Sequence, residues 1–384
     1  MRTAQIGELV EAVKTWNPSR SPAGEFEYID LSAVDNSSKT VVSTTTVTGA
    51  EAPSRARQLV AAGDVLVSTV RPNLNSVAVV PPELDSATAS TGFTVLRPSE
   101  ELDGRFLFHW VQSPAFVADM VRKATGASYP AVSDRIVKDS DIPAPPLPEQ
   151  RRIAAILDHA DALRAKRRQV LTHLEALTQS IFGDTFGDRD DTVHRLDDLV
   201  DPDDKLNYGV VQPGDDVPGG VPLIRVSNLA GGVVDRSDLK HIAPEVESSY
   251  VRSRIKGNEV LVSSVGSIGV VSVVSPDDVG SNVARAITRV PISDPARRAY
   301  VAAYLKTERA QRYFVSELRT VAQPTLNVGQ LAATKVPLPP IELQHQFARR
   351  ASDVRRQSLI TVEALRHEDS LFSALQSRAF RGEL

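Results

Sequence analysis

The stretch DRSDLK, from Asp235 to Lys240, sets two carboxylates just ahead of a lysine. That grouping is loosely like a metal-dependent nuclease, in which carboxylates hold a divalent cation against a phosphate. The same residues also make an ordinary solvated turn, and the stretch is read here as a turn. Little else in the chain offers catalysis. It has no cysteine, so it carries neither a thiolate metal site nor a thiol nucleophile. Its 7 histidines are scattered, with no H-x-x-x-H pair that would suggest zinc. A G-x-x-x-x-G-K-[ST] phosphate loop is absent, as is the N-P-P-[YF] or D-P-P-Y signature of an amino-methyltransferase.

A second kind of chemistry needs no catalysis. Arginine offers a planar fork to guanine, asparagine pairs with adenine, and Ser, Thr, Tyr and Lys reach base edges or phosphates. Such residues gather in polar loops beside apolar runs. Ser68, Thr69, Arg71, Asn73 and Asn75 follow DVLV. Ser263, Ser264 and Ser267 follow EVLV, where Gly266 and Gly269 let the backbone approach closely. Lys123, Ser128 and Tyr129 lie in or beside GASYP, Gly126 to Pro130. Arg319, Gln323 and Asn327 lie in or beside AQPTLN, Ala322 to Asn327. Arg225 and Asn228 belong to PLIRVSNL. Each is also an ordinary turn former, so the expectation of DNA contact attaches to the loops as a group.

These loops are positioned by a duplicated plan. An offset of 194 residues carries Pro146 onto Pro340, Gln150 onto Gln344, Trp110 onto Tyr304 and Phe186 onto Phe380. GDVLVSTV then faces GNEVLVSSV after a one-residue slip. In the first copy FEYIDL, DVLVSTV, SVAVV and GFTVL predict strands. PLIRVS, EVLVSSV, GVVSVV and ARAITRV predict strands in the second. Helices are expected from about Asp103 to Arg122 and from about Ala296 to Arg319. Each copy closes on a proline run and a long helix.

The first long helix shows apolar steps of three and four at Ile153, Ile156, Ala160, Leu163, Val170, Leu174, Leu177 and Ile181. Arg167 is the one charge on that line. Gly183 and Gly187 are expected to end it, which predicts a rod of roughly 50 Å. The second helix keeps Phe347, Val354, Leu365, Phe372, Leu375 and Ala379, interrupted by Ser358, Thr361 and Glu368. The expected fold is mixed α/β. It has two similar globular domains with twisted sheets, at the ends of a pair of long antiparallel coiled-coil helices and related by a pseudo-two-fold repeat. The expected boundaries are residues 1–145, 146–186, 187–338 and 339–384. Two similar heads at fixed separation match half-sites on double-stranded DNA.

The net charge of −4 argues against indiscriminate coating of nucleic acid, without excluding local basic faces. The run RAKRR, Arg164 to Arg168, is read as a solvated or partner-facing helix surface. No apolar run is long enough to span a membrane and no signal peptide is evident, so a cytoplasmic protein is expected.

PPLPEQRRIAAILDHADAL with FGD, VPLPPIELQHQF with AFRGEL, and the segments YGVVQPG, PLIRVSNL and EVLVSSVGSIG carry a resemblance. The chain resembles the specificity subunit of a type I restriction–modification system, over essentially its whole length. The resemblance implies a non-catalytic subunit that reads a bipartite DNA target through two target-recognition domains. It also implies two modification (methyltransferase) subunits and restriction/translocase subunits as partners. S-adenosylmethionine, ATP and Mg²⁺ are then expected in those partners, and no cofactor or metal in this chain. The alternatives left open are a single-chain restriction endonuclease and a two-headed scaffold that does not bind DNA.

Overall fold

The computed structural model describes residues 2–36, 38–126, 129–187, 189–318 and 324–384. Contacts divide the chain into two compact units, residues 1–165 with 368–384 and residues 166–367.

Alternation along one central strand organises the first unit. In Val65–Ser68, Val65 and Val67 pack with the helices, while Leu66 joins a core that also holds Ile29, Ala89 and Phe93. Successive side chains of a strand point to opposite faces, so a strand covered on both faces reads as an unbroken apolar run. This strand lies in a four-stranded sheet ordered Val10–Glu11, Phe93–Pro98, Val65–Ser68, Val77–Val79. A second sheet is ordered Thr45–Thr48, Glu25–Ile29, Thr88–Ser90, Ala56–Leu59. Within it, the 25–29 and 88–90 strands run parallel.

The second unit repeats the plan. Val260 and Val262 face one core and Leu261 the other, on the strand Glu259–Ser263. Its main sheet is ordered Asn207–Tyr208, Ile287–Pro291, Glu259–Ser263, Val271–Val273. The parallel pair recurs as Val221–Ile224 with Asn282–Val283.

The single helices expected near residues 103–122 and 296–319 are each two. In the first unit they are α1, Gly104–Val111, and α2, Pro114–Lys123, followed by α3, Asp134–Lys138. Ser113 breaks the run by accepting from the Phe116 N–H at 3.2 Å, and Pro114 sits where no helical donor is needed. After the long α4, Leu147–Phe186, and the short α5, Pro244–Ser248, the second unit has α6, Pro295–Leu305, α7, Glu308–Ser316, and α8, Val328–Ala332. Thr307 caps α7 as Ser113 caps α2, one repeat apart.

The long helices are α4, Leu147–Phe186, and α9, Ile341–Arg381, of 40 and 41 residues. At ~1.5 Å per residue each is about 60 Å long. The added length has a local cause. Gly183 stays inside α4, and only Gly187, at φ 52°, closes it by donating to the Gly183 carbonyl at 2.8 Å. In the first unit the two helical segments run antiparallel. Arg152 bonds the Leu384 carbonyl, and Arg164 bonds Asp369 at 2.6 Å. In the second unit Leu171 packs with Val362, and Phe186 with Phe347 at a ring distance of 5.5 Å.

The inward line of α4 differs from the one expected. Ile153, Leu171 and Ile181 are buried, but Leu163, Val170 and Leu177 are 45%, 42% and 48% exposed. Half of the seam shifts by one residue, to Leu157, Arg164, Leu171 and Thr178. Arg164 holds its inward place because its guanidinium lies 4.3 Å from the Phe372 ring centre and pairs with Asp161 and Asp369. On α9, Ser358 and Thr361 are buried within the stripe. Each hydroxyl is satisfied by a carbonyl one turn back, on Val354 and Gln357.

Candidate nucleic-acid interface

Two loops meet beside the central strand in each unit, on one backbone frame. In the first unit Val70 bridges Ala131, and the Arg71 N–H donates to the Pro130 carbonyl at 2.7 Å. In the second Val265 bridges Thr325, and the Gly266 N–H donates to the Pro324 carbonyl at 3.3 Å. Below them Thr69 donates to Gly92 and accepts from Val132, as Ser264 donates to Ala286 and accepts from Leu326.

This frame uses several side chains that the sequence offers to DNA. The Ser68 hydroxyl donates to the Val70 carbonyl, and Thr69 to the Gly92 carbonyl at 2.8 Å. Ser263 accepts from the Val270 N–H at 2.8 Å, while Ser264 pairs with the Thr288 hydroxyl at 2.6 Å. Asn228 accepts from the Arg225 N–H at 2.9 Å. All five are buried, so they build the loops instead of facing outward. Asn327 is exposed but caps α8, accepting from the Gln330 N–H at 3.0 Å. Arg225 bonds Asp238, and Lys123 bonds Asp119 at 2.6 Å, both near the surface. Ser128, Arg319 and Gln323 lie outside the described residues.

What faces outward is a smaller set. Arg71, Asn73 and Ser267 are exposed, and Tyr129 is 69% exposed. The Arg71 guanidinium stacks over the Tyr129 ring at 4.8 Å, which presents a flat cation on an aromatic platform. Arg71 and Asn75 both hold left-handed backbone, at φ 50° and 47°. In the second unit the equivalent positions are glycines, Gly266 and Gly269, at φ 78° and 80°. Left-handed backbone costs a non-glycine residue about 1–3 kcal/mol and collects at functional sites. Asn75 is held by its Nδ2 bond to the Gln112 carbonyl and by Lys39 Nζ on its own carbonyl. No sequence signal links Lys39 to Asn75, because the two meet only through the fold.

The other candidate chemistries are engaged elsewhere. In DRSDLK, Asp235 accepts from the Ser237 N–H, Asp238 pairs with Arg225, and Lys240 bonds the Gly214 carbonyl. Among the described residues no group of three His, Cys, Asp or Glu is placed to hold a metal ion.

The duplicated glutamine of the proline junction also acquires a role. Gln150 is buried, with Nε2 donating to the Glu101 and Pro145 carbonyls and Oε1 accepting from the Asp103 N–H at 2.8 Å. It ties the start of α4 to its head. Gln344 repeats only the bond to the carbonyl five residues back, on Pro339, at 2.7 Å, and its buried Oε1 has no partner among the described residues.

The family described as Type I restriction modification DNA specificity domain matches the sequence twice, over residues 2–175 and 207–366. The chain is 30% identical over 321 residues to the type I restriction enzyme EcoBI specificity subunit of Escherichia coli. That alignment covers 74% of this chain and 66% of the relative. It is 22% identical to the EcoKI specificity subunit of Escherichia coli strain K12, over 76% of this chain and 68% of that one. The chain thus spans about two thirds of these relatives. Among solved structures it is similar to the HsdS subunit from Thermoanaerobacter tengcongensis, at 26% identity and a TM-score of 0.45, over 100% of this chain and 97% of that one.

Proposed function

The chain belongs to the type I restriction–modification DNA specificity family, and from that premise we propose that it reads a bipartite double-stranded DNA target, one half per head. One observation carries the reading. The two heads present unlike side chains on the same loop frame, Arg71 with Tyr129 in one and Gly266 with Ser267 in the other. A shared frame with different contacts suits two unlike half-sites.

In this reading the chain catalyses nothing. Arg71, Asn73 and Tyr129 serve the first half-site, on a loop that Asn75 braces. Ser267 and Arg225, with the backbone at Gly266, serve the second. Lys123 and Asn327 stand at the edges of the loops as phosphate contacts. The long helices set the number of base pairs between the halves. Their outward apolar residues, among them Val170, Leu177 and Ile360, give two modification subunits a surface to dock on. S-adenosylmethionine belongs to those subunits, and ATP and Mg²⁺ to restriction/translocase subunits. Among the described residues no helix is long and apolar enough to cross a membrane. A cytoplasmic location, beside the DNA, follows from the proposal.

The test is binding of the chain, with its modification subunits, to duplexes carrying the mapped target and to scrambled duplexes at one fixed salt concentration. We expect a preference of at least 10³-fold, the lower end for specific DNA readers. Equal binding to both duplexes contradicts the proposal.

A further inference from the structure

The seam between head and long helices is filled differently in the two units. In the first, Arg105, Phe108 and His109 of α1 meet Leu157 and Asp158 of α4. Phe108, His109 and Leu157 are buried. His109 Nε2 lies 2.7 Å from Asp158 Oδ1, Arg105 bonds the same carboxylate, and its guanidinium lies 4.6 Å over the Phe108 ring. One repeat later the same five positions are Ala299, Ala302, Ala303, Ala351 and Ser352. The small side chains leave a cavity of about 370 Å³ within the second unit, lined by all five. Val271, Val273, Phe347 and Leu359 complete an apolar wall.

Cations ring this apolar space. Lys306 is paired with Glu175 at 2.6 Å and Arg356 with Asp353 at 3.0 Å. Arg298 and Arg355 also line the cavity, and neither has a carboxylate within ion-pair distance among the described residues. Arg298 donates to the Gly257 and Ile292 carbonyls. Arg355 donates from Nη2 to the Val273 and Val274 carbonyls, while its buried Nε has no partner among the described residues. Burial pulls both guanidinia below their ordinary range and Arg298 adds repulsion at Arg355, while Glu259, Asp201 and Asp294 at Arg298 and Asp278 at Arg355 act the other way from beyond ion-pair distance. A buried donor without an acceptor is costly, and two cations facing one apolar cavity call for an anion.

We propose that this cavity is a binding site for a small amphipathic anion, with an apolar body of about two rings against the alanines and a carboxylate on Arg355 and Arg298. The volume falls in the ~300–1,000 Å³ range of small-ligand pockets, which are mostly apolar with a few converging polar groups. In the first unit the matching positions hold Phe108 and His109, both buried. The proposal stands apart from the DNA reading and does not depend on it.

The experiment titrates the full chain with naphthalene-2-carboxylate and with its neutral carboxamide. The acid is expected to bind at least about tenfold more tightly. Ala302→Phe restores the bulk of Phe108 and is expected to abolish binding of both. Arg355→Met is expected to equalise acid and amide. Unfolding midpoints of both variants confirm the fold, and if Ala302→Phe loses it, the acid-to-amide ratio of Arg355→Met decides. Equal affinity of the parent chain for acid and amide, or acid binding that survives a folded Ala302→Phe, overturns the proposal. Repeating the titration on the complex with modification subunits separates the sources of the anion. Loss of naphthoate binding there assigns the cavity to a partner's acidic side chain and overturns the small-molecule reading.

Discussion

The two heads share a backbone plan but stabilise it by different means. In the second, Arg289 is fully buried between Glu259 and Asp204, bonding the first at 3.0 Å and clamping the second with both terminal nitrogens. In the first, Arg97 clamps Asp64 from a partly exposed position, 24% open against 2% for the acid. The carboxylate at the start of the central strand recurs, while the arginine that answers it comes from a different position on the neighbouring strand. The loops differ in the opposite sense. The first head accepts left-handed backbone at Arg71 and Asn75 to keep their side chains, and the second uses glycine. Duplication has preserved the frame, and the interior charges and the paired loops have diverged on it.

Substitutions at comparable sites of the two heads are expected to differ in the size of their effects. The largest effect is expected from Arg289→Ala, which strands the buried Glu259 and leaves the half-buried Asp204 with Lys256 alone, at a cost of about 3–5 kcal/mol. Arg97→Ala is expected to cost about 2 kcal/mol, since water can reach part of that site. Denaturant unfolding, with hydrogen exchange read separately for each head, checks both the order and the localisation. Next come the junction glutamines. Gln150→Ala removes three bonds and is expected to cost about 2–3 kcal/mol, whereas Gln344→Ala removes one and is expected to cost about 1 kcal/mol. Equal losses would show that the two junctions are energetically alike.

A smaller difference follows from pH. Burial raises the Asp158 carboxyl, but bonds from His109 and Arg105 outweigh it and hold the group at about 2, against 3.8 unperturbed. A folded value below the unfolded one gives stability that is full above about pH 4 and lost as pH falls through about 2. With the side chain 36% exposed, screening leaves roughly 1 kcal/mol. Ser352 holds the matching place in the second unit, so that position adds no acid sensitivity there. Acid titration of Asp158→Asn against the parent chain measures it. The smallest loss of stability is expected from Arg71→Gly, which copies Gly266. Relief of the left-handed backbone, about 1–3 kcal/mol, matches or exceeds the roughly 1 kcal/mol of added freedom in the unfolded chain, so no destabilisation is expected. Binding to the first half-site is nevertheless expected to fall about tenfold or more, the worth of one arginine–base contact. Unchanged binding would remove Arg71 from the interface.

Much of the fold was legible because its signals are local and repeated. The β-rich runs, the proline junctions and the antiparallel long helices follow from patterning and from the internal match. The helix break at Ser113 was missed because a cap competes with an otherwise continuous apolar pattern. The seam of α4 was misread at Leu163, Val170 and Leu177 because apolarity alone selected them. Arg164 wins the inward place through Phe372 and Asp369, more than 200 residues away. The paired loops of each head are visible in the sequence, yet Ser68, Thr69, Ser263, Ser264 and Asn228 turn inward. Residue type fixes which bonds a hydroxyl or amide can make, but only the fold decides whether backbone is already in reach.

The most direct measurement maps methylated sites in cells carrying the system after seven residues, one heptad, are removed from α4 and the matching seven from α9. The seam register is kept, and each helix loses roughly 10 Å. Both half-site sequences are expected to stay the same, with the spacer between them shortened by about three base pairs. A changed half-site, or an unchanged spacer, would contradict the account.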